Sequence, residues 1–411
     1  MRPQDGVIAA AGRFLDRFSR PVTLLVAVSG GSDSTGLLVA LAACRRSSIF
    51  LVACTVDHAL RPQSAEEARQ VTALCVRLGI PHVVRRWEGA KPATGVQAAA
   101  RAARYRLLVE AADEAGADAI LTAHTLDDQR ETIFMRAARA AGGVGLAGMA
   151  DRVLLGGRVW LMRPFLDIAR ADIRAFLQGA GEGWSDDPSN ANRRFERVRV
   201  REDAARAGEG TEAGERLRLS QAAAGFLDAH VRALSPFLFL LPADGLADPA
   251  AWRGLLLLAA TAGGRAHVLE AKAAARLGAF LEGGTLSRLT AGRVVFDRRR
   301  EGLYLYRENR DIPGILVPPG ETAVWDDRFR VENRSGEALA VSAAGEDMDP
   351  ALRGVFRRAA RAAPRFAFTR DVGMIPVIAP YADFLPGFDL PVAEALARLL
   401  GRAPFPAPPD D

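Results

Sequence analysis

The sequence predicts an α/β protein with a doubly wound parallel sheet of five strands, followed by two smaller α+β domains. Two observations predict this class. Through residues 20–205, short apolar runs alternate with segments of helical length, as in repeated β-α units. Polar clusters also follow three of those runs, and ligands of such sheets bind beyond the carboxyl ends of the strands.

The strands are predicted mainly from continuous apolar runs, which are typical of parallel strands buried on both faces. They lie at residues 22–28, 49–56, 82–87, 119–123 and 159–166. Helices are predicted at residues 34–46, 64–78, 97–115, 126–140 and 170–180. Repeated β-α units of this length imply a doubly wound parallel sheet.

The pattern changes after residue 205. Residues 202–215 have little apolar periodicity and indicate a linker or a weak helix, whereas residues 217–241 and 250–281 have a helical pattern. Short strands are predicted at 286–289, 293–297, 303–306, 315–317, 321–324, 328–332, 338–341 and 374–379, with a helix near 351–362. The Pro-rich residues 403–411 are expected to be disordered. We therefore predict three domains, at residues 1–205, 206–311 and 312–411.

The composition is that of an ordinary globular protein, with 49% hydrophobic and 25% charged residues. No apolar run approaches the roughly 20 residues that a membrane-spanning helix needs, and residues 1–20 lack the core of a signal peptide. We expect a cytoplasmic protein with no membrane partner. The three cysteines, Cys44, Cys54 and Cys75, form no Cys-x-x-Cys pair and are predicted to be buried.

The net charge of +5 fits an anionic partner. The basic residues are almost all arginines, since Lys91 and Lys272 are the only lysines.

A loop rich in glycine and serine follows the first predicted strand and reads Ser29-Gly30-Gly31-Ser32-Asp33-Ser34. Glycine lets backbone N–H groups approach an anion closely, and a helix N-terminus adds about half a positive charge. Asp33 would repel phosphates unless a cation bridged them, so its presence predicts Mg²⁺. The alternative is an ordinary glycine turn with Ser34 as the helix N-cap.

This hexapeptide resembles the signature of the PP-loop ATP pyrophosphatases. Members of that superfamily cleave ATP between its α- and β-phosphates and transfer AMP to a substrate oxygen, after which a nucleophile displaces AMP. The resemblance therefore implies ATP as the cofactor and leaves the substrate open.

A second motif narrows the choice within the superfamily. Residues 122–132, Thr-Ala-His-Thr-Leu-Asp-Asp-Gln-Arg-Glu-Thr, resemble the block that tRNA(Ile)-lysidine synthetases carry after the fourth strand. Residues 56–61, 99–105, 142–149, 163–166 and 184–190 resemble further blocks of that family. The resemblance is strong over residues 20–200 and thinner beyond them.

The resemblance implies a two-step reaction on an isoleucine tRNA with a CAU anticodon. The wobble cytidine is adenylated on its ring carbonyl oxygen, and an amine of free L-lysine then attacks that carbon, releasing AMP and giving lysidine. The family suggests Asp33 and Asp128 as the central acidic pair, which we expect to bind Mg²⁺, and places Glu131 near the lysine.

The residues themselves support several roles for these carboxylates. Asp128 and Glu131 lie three apart on a predicted helix and therefore share a face. They could bind Mg²⁺ with Asp33, orient the lysine ammonium groups, or take the amine proton. The alternative is that Asp127 and Asp128 only cap the helix.

Residues of the loop and of the neighbouring strand ends are expected to bind ATP. They are Ser29, Gly30, Gly31, Ser32, Asp33, Ser34, Asp57, His58, Arg104 and His124. A structural role competes for the two histidines, and a solvated charged face competes for Arg104. Metal ligation by the histidines is not expected, because no third ligand stands at suitable spacing.

Two arginine clusters are candidates for tRNA contact. The first comprises Arg193, Arg194, Arg197 and Arg199. Arginine pairs with phosphate and stacks on bases, so tRNA contact is favoured over a solvated face. The second cluster spans residues 353–370 and includes Arg357 and Arg358, which suit backbone binding by the last domain.

The chain departs from the family pattern at three places. The family often has two histidines where this chain has His124-Thr125, often has Glu at Gln97, and usually has Arg-Asn at Arg197-Val198. These positions surround the acidic centre, so they bear on local nucleotide and RNA contacts.

Two alternative functions remain open from the sequence. A tRNA thiolation enzyme of the same superfamily that uses a cysteine relay would need thiols that the three cysteines do not supply. A non-catalytic RNA-binding protein on the same fold is disfavoured by the intact loop, Asp128 and Glu131. A homodimer is compatible with the sequence.

Overall fold

The computed structural model describes residues 3–60, 64–138, 147–185, 213–365 and 371–411. The chain divides into two compact units. The first unit comprises Met1–Glu215 and Pro406–Asp411, and the second unit comprises Arg216–Phe405. The expected boundary after residue 311 falls within the second unit, where Asp326 binds Arg293 and Arg307. The three-domain division stays a prediction.

The first unit alternates helices and strands, as the sequence predicts. Its elements are α1 (Pro3–Leu15), β1 (Val22–Ala27), α2 (Ser32–Ala43), β2 (Ile49–Asp57), α3 (Ser64–Leu78), β3 (His82–Arg86), α4 (Val96–Glu114), β4 (Ala119–Leu121), α5 (Leu126–Ala138), β5 (Arg152–Leu155), β6 (Val159–Met162) and α6 (Arg170–Ala180).

The strands of this unit lie side by side in the order β5-β6-β4-β1-β2-β3. Strand β1 pairs in parallel with β2 and β4, β2 pairs in parallel with β3, and β4 pairs in parallel with β6. The predicted α/β class and the predicted parallel strands are therefore confirmed. The carboxyl ends of β1, β2 and β4 meet at one edge, where the polar motifs begin.

One strand of this sheet was not predicted. Strand β5 pairs antiparallel with β6, so the sheet is mixed at this end. Its four residues, which include the polar Arg152, are too few to produce a recognisable run of buried strand residues.

Helices cover both faces of the sheet. Alternate residues of β1, such as Leu24 and Val26, pack in one core with residues of α1, α2, α3 and α6. Leu25 faces the opposite side, because successive side chains of a strand point to opposite faces, and it is equally buried. Helix α4 contacts β1, β2, β3 and β4.

Helices α2 and α6 approach each other closely at Gly36. A Cβ atom at this position would lie 2.3 Å from Cγ2 of Ile173. The absent side chain of Gly36 therefore allows the contact that places α6 beside the beginning of α2.

The second unit is rich in strands. Its elements are α7 (Ala213–His230, beginning just before the unit boundary), β7 (Arg232–Ser235), β8 (Leu238–Leu241), α8 (Pro249–Ala262), α9 (Ala271–Glu282), β9 (Arg288–Ala291), β10 (Val294–Arg299), β11 (Gly302–Arg307), β12 (Ile315–Val317), β13 (Thr322–Trp325), β14 (Phe329–Asn333), β15 (Leu339–Ala343), α10 (Gly354–Ala360), β16 (Pro364–Arg365), β17 (Val372–Pro376), β18 (Phe384–Pro386) and α11 (Leu390–Leu399).

Three sheets are built within this unit. Their strand orders are β7-β8-β11-β10-β9, β12-β15-β16 and β13-β14-β17. The helix predicted over residues 217–241 is wrong after His230, because the chain continues as the hairpin of β7 and β8. Pro236 lies between these strands, and proline cannot donate the backbone hydrogen bond of a helix interior.

Buried carboxylates bind several arginines in the second unit. Asp326 binds Arg293, Arg307 and Arg328, and its carboxylate is inaccessible to solvent. Burial lowers the pKa of Arg328 to about 10, in spite of the opposing charge of Asp326. Among the described residues, no helix has both the length and the apolar character needed to cross a membrane.

The prediction of a disordered tail at residues 403–411 is wrong. The Asp410 side chain is 1% exposed and forms ion pairs with Arg17 and with Arg152. The Trp160 indole donates a hydrogen bond of 2.9 Å to the carbonyl oxygen of Pro406. Proline content suggested disorder, but these contacts hold residues 406–411 against the first unit.

Candidate active site

The glycine-rich loop connects β1 to α2, as predicted. Gly30 has a φ of +86°, a conformation that residues with a Cβ rarely adopt. Gly31 is the extended N-cap of α2, so the helix begins at Ser32 and Ser34 is not its N-cap. The free backbone N–H groups of the first turn therefore lie at the loop, where an anion can accept from them.

The serine hydroxyl groups hold the loop in shape. The backbone N–H of Ser29 donates to Oγ of Ser34 at 3.1 Å, and that hydroxyl donates to the carbonyl oxygen of Gly31 at 3.2 Å. The Ser32 hydroxyl donates to Oδ1 of Asp33 at 3.1 Å.

A segment from another part of the sequence supports the loop. The backbone N–H of Ser185 donates to the carbonyl oxygen of Gly30 at 2.9 Å. The Ser185 hydroxyl donates to Oε1 of Gln70 on α3 at 3.1 Å. Ser185 thus links the loop to α3, and it belongs to the sequence block 184–190 without having been selected as a site residue.

Arg170 brings the two central carboxylates together. Its Nε donates to Oδ2 of Asp33 at 2.8 Å, and its Nη2 donates to Oδ1 of Asp128 at 3.2 Å. The three side chains are 18%, 21% and 25% exposed, respectively. Burial acts to lower the pKa of Arg170, but the opposing effects of Asp33 and Asp128 leave that pKa above its ordinary value.

The other acidic residues of the second motif have distinct partners. Asp127 accepts a hydrogen bond of 2.8 Å from the backbone N–H of Arg170, so it caps α6 and not its own helix. Oδ2 of Asp128 accepts from the backbone N–H of Thr125 at 2.8 Å and from its hydroxyl at 2.9 Å. Thr125 and Asp128 thus resemble a capping box, and Glu131, one turn further along α5, is buried.

A cavity of about 620 Å³ opens beside the loop. Five of the residues expected to bind ATP line it, namely Ser29, Gly31, Asp57, His58 and Arg104. Further lining residues, not selected from the sequence, include Cys54, Thr55, Glu67, Gln97, Leu108 and Ser185. The volume lies within the range of small-molecule sites, and its position next to the loop suits a nucleoside whose phosphates lie on α2.

His58 offers this cavity a neutral imidazole. Burial lowers the pKa of His58, and the nearby charge of Arg104 lowers it further. Its Nδ1 is buried and has no hydrogen-bond partner among the described residues. The ring packs edge-on against Trp87, with centroids 6.2 Å apart. A buried nitrogen without a protein partner suits hydrogen bonding to a bound ligand.

His124 does not line the cavity. Its Nδ1 lies 3.0 Å from the Thr122 hydroxyl and accepts from Nε of Arg163 at 3.3 Å. Its role in binding ATP therefore stays a prediction.

Two carboxylates beside the loop, those of Asp33 and Asp128, are the candidate ligands for a metal ion. Among the described residues, no three His, Cys, Asp or Glu side chains cluster so as to hold a metal ion. Mg²⁺ in nucleotide sites needs fewer protein ligands, since one or two carboxylates and the phosphates suffice. Asp33 and Asp128, which share one cation beside the loop, fit that smaller requirement.

Two of the three cysteines are buried, as predicted, and the third is only partly buried. Cys54 and Cys75 are buried, and burial raises the pKa of both thiols to about 11. Cys44 is partly buried, and burial also raises the pKa of its thiol. None of them is therefore an activated thiolate at neutral pH.

The predicted tRNA-binding arginines fall in two places. Arg193, Arg194, Arg197 and Arg199 lie outside the described residues. Arg357 and Arg358 lie on α10 of the second unit. Arg358 binds the buried carboxylate of Asp297 at 3.0 Å, whereas Arg357 is half-exposed and faces Glu346 at 3.5 Å.

Two site arginines were missed from the sequence. Arg170 begins α6, and Arg174, one turn later, donates from Nε to the Ser32 hydroxyl at 3.4 Å. The only available signal was their spacing of four on a predicted helix, which places both on one face.

Comparison with known proteins extends these observations. Residues 8–207 match the PP-loop domain family. The chain is 48% identical over 440 residues to a tRNA(Ile)-lysidine synthase of Rhizobium meliloti (strain 1021), which covers 98% of this chain and 97% of that protein. A protein of the same name from Mesorhizobium japonicum is 40% identical, with 94% of each chain covered. One from Brucella canis is 37% identical, covering 93% of this chain and 96% of its own.

Proposed function

This chain belongs to the tRNA(Ile)-lysidine synthase family, and on that premise we propose that it joins L-lysine to the wobble cytidine of an isoleucine tRNA with a CAU anticodon. The products are lysidine, AMP and pyrophosphate. The proposal rests on one observation. Asp33 of the phosphate loop and Asp128 of the second sequence motif, residues 122–132, both bind Arg170.

The first step is adenylation of the tRNA. The cavity beside the loop accepts the adenosine, with His58 and Arg104 on its walls, and the N-terminus of α2 binds the phosphates. The ring carbonyl oxygen of cytidine attacks the α-phosphorus, and the bond to the bridging oxygen breaks as pyrophosphate leaves. The Ser32 hydroxyl and the backbone N–H groups of the loop stabilise charge on the phosphates.

We further propose that Asp33 and Asp128 hold Mg²⁺ when ATP is bound. The ion would neutralise phosphate charge and so lessen its repulsion by these carboxylates.

The second step is attack by lysine. An amine of L-lysine must lose a proton to become a nucleophile, and it then bonds to the activated ring carbon as AMP leaves with the electron pair of the broken C–O bond. Glu131 is the candidate for orienting the lysine or accepting that proton, because it shares a helical face with Asp128 and is buried.

The decisive experiment is mass spectrometry of tRNA nucleosides. The full chain is incubated with ATP, Mg²⁺, L-lysine and an isoleucine tRNA carrying the CAU anticodon, and the tRNA is then digested. We expect lysidine only when ATP and lysine are both present. An unmodified cytidine under these conditions, or a thiolated base formed with a sulfur donor, would contradict the proposal.

A further inference from the structure

Arg170 neutralises two carboxylates that the proposed reaction needs for another cation. Its guanidinium binds Oδ2 of Asp33 and Oδ1 of Asp128 with separate nitrogen atoms. A divalent cation bound to the same oxygens would lie close to the guanidinium, and the repulsion between the two positive charges grows steeply as they approach. Binding of Mg²⁺ to these oxygens therefore favours a different partner for Arg170.

The phosphate loop offers the displaced guanidinium a new partner. Arg174 follows Arg170 by one turn of α6 and already contacts Ser32 of the loop. The side chain of Arg170 thus extends from the same helical face toward the same loop. Arginine binds phosphate through two parallel N–H groups, as it binds a carboxylate.

We propose that Arg170 exchanges partners during the reaction, holding Asp33 and Asp128 in the free enzyme and binding the pyrophosphate leaving group when Mg²⁺ occupies these carboxylates. This inference rests on the proposed function. As the bond between the α-phosphorus and the bridging oxygen breaks, the electron pair leaves with pyrophosphate, and the guanidinium stabilises that added charge. Arg170 is then a phosphate-binding residue and not only a structural link.

The exchange predicts opposite effects of one substitution on two ligands. Arg170→Met removes the competing cation, so the two carboxylates should bind a divalent cation more tightly. The same change removes a phosphate ligand, so pyrophosphate should bind less tightly. A residue that only held the site together would change both affinities in the same direction.

The first measurement uses Mn²⁺ as the probe, followed by electron paramagnetic resonance with the full chain and no nucleotide. We expect Arg170→Met to bind Mn²⁺ at least about tenfold more tightly than the unsubstituted chain. The second measurement is calorimetric titration with inorganic pyrophosphate in excess Mg²⁺, where we expect affinity to fall about tenfold or more. Unchanged or weaker Mn²⁺ binding, or unchanged pyrophosphate binding, would overturn the exchange.

Two further variants serve as controls for these measurements. Arg158→Met removes an exposed arginine of the same unit that pairs with Asp113, and it should leave both affinities unchanged. Arg170→Lys keeps a cation but cannot bind two carboxylates through a planar fork, so it should shift both affinities in the directions of Arg170→Met. If the Met variant loses its circular dichroism spectrum, the Lys variant decides the question by the same signs.

Neither titration contains tRNA or lysine, so each result is independent of the tRNA substrate. Absence of tRNA-dependent pyrophosphate release by the unsubstituted chain would contradict the proposed function, whereas the signs of the two affinity changes test the exchange itself.

Discussion

Asp128 is bound by two groups of different origin, one through each carboxylate oxygen. Oδ2 accepts from the backbone and side chain of Thr125, which fixes the carboxylate at the beginning of α5. Oδ1 accepts from Arg170 and so faces the phosphate loop. From the sequence alone, capping of the helix and a role in the proposed reaction were alternatives for Asp128. The two roles are compatible because each carboxylate oxygen has its own partner. Thr125, where the family often has histidine, supplies the capping hydroxyl.

A substitution of Glu131 tests whether this residue acts on lysine and not on the adenylation step. Glu131→Gln preserves the size of a buried side chain but removes its negative charge and its ability to take a proton. We expect lysidine formation to fall about 100-fold or more, while tRNA-dependent pyrophosphate release keeps most of its rate.

Both rates are measured on the same preparation, with Glu110→Gln as the matched control because Glu110 is exposed on α4 and pairs with Arg106. Equal losses in the two rates of the Glu131 variant would show that Glu131 does not act selectively on lysine.

For helices and strands, the accuracy of the predictions depended on how strong the local sequence pattern was. The parallel strands were predictable because burial on both faces demands apolar runs, and α3 and α6 were predicted with their observed bounds. The helix expected over residues 250–281 is two helices, since Gly263 and Gly264, the latter at φ +60°, end α8. The link between Asp33 and Arg170 joins residues 137 apart in sequence, and no local pattern reports such a contact.

The packing of α2 against α6 should be sensitive to a single methyl group. Gly36→Ala places a Cβ within the volume of Ile173, so we expect the free energy of unfolding to fall by about 1–3 kcal/mol. Because α6 carries Arg170, pyrophosphate release should slow as well. Chemical denaturation measures the first effect and a phosphate assay the second.

The control is Gly12→Ala on α1, where a Cβ would meet nothing within 4 Å. That change should leave stability unchanged or raise it by up to about 1 kcal/mol, as alanine favours a helix. The double variant Gly36→Ala/Ile173→Ala should lose less than the sum of its single losses. Additive losses would show that the two side chains do not compete for this space.

At the scale of the whole molecule, the number of arginines in the sequence overstates the number that are free to bind RNA. In the second unit, buried Asp297, Asp326 and Asp389 bind arginines whose charge is thereby neutralised. Arg358 is one of these, because it binds Asp297 and donates to the Tyr306 hydroxyl at 3.1 Å. The positive charge available to tRNA is therefore concentrated in the exposed arginines.

Substitutions of Arg357 and Arg358 test this idea, because Arg357 faces an exposed carboxylate and Arg358 binds a buried one. Arg357→Ala should change stability by less than about 0.5 kcal/mol, because its pair with Glu346 is exposed, and should reduce the salt dependence of tRNA binding by about one unit of log–log slope. Arg358→Ala should instead lower stability by about 1–3 kcal/mol, since the buried carboxylate of Asp297 loses one of its partners.

Filter binding at several salt concentrations and chemical denaturation measure these two properties. A salt dependence unchanged by Arg357→Ala would remove this residue from the proposed tRNA contacts.

Residues 406–411 belong to the first unit although the entire second unit precedes them in the chain. During translation, the ribosome must therefore synthesise residues 216–405 before the segment that binds Trp160, Arg17 and Arg152 becomes available. A nascent chain that stalls within the second unit leaves the sheet of the first unit without this covering segment. Completion of the first unit is thus coupled to the order of synthesis, because chains released early lack the contacts of residues 406–411.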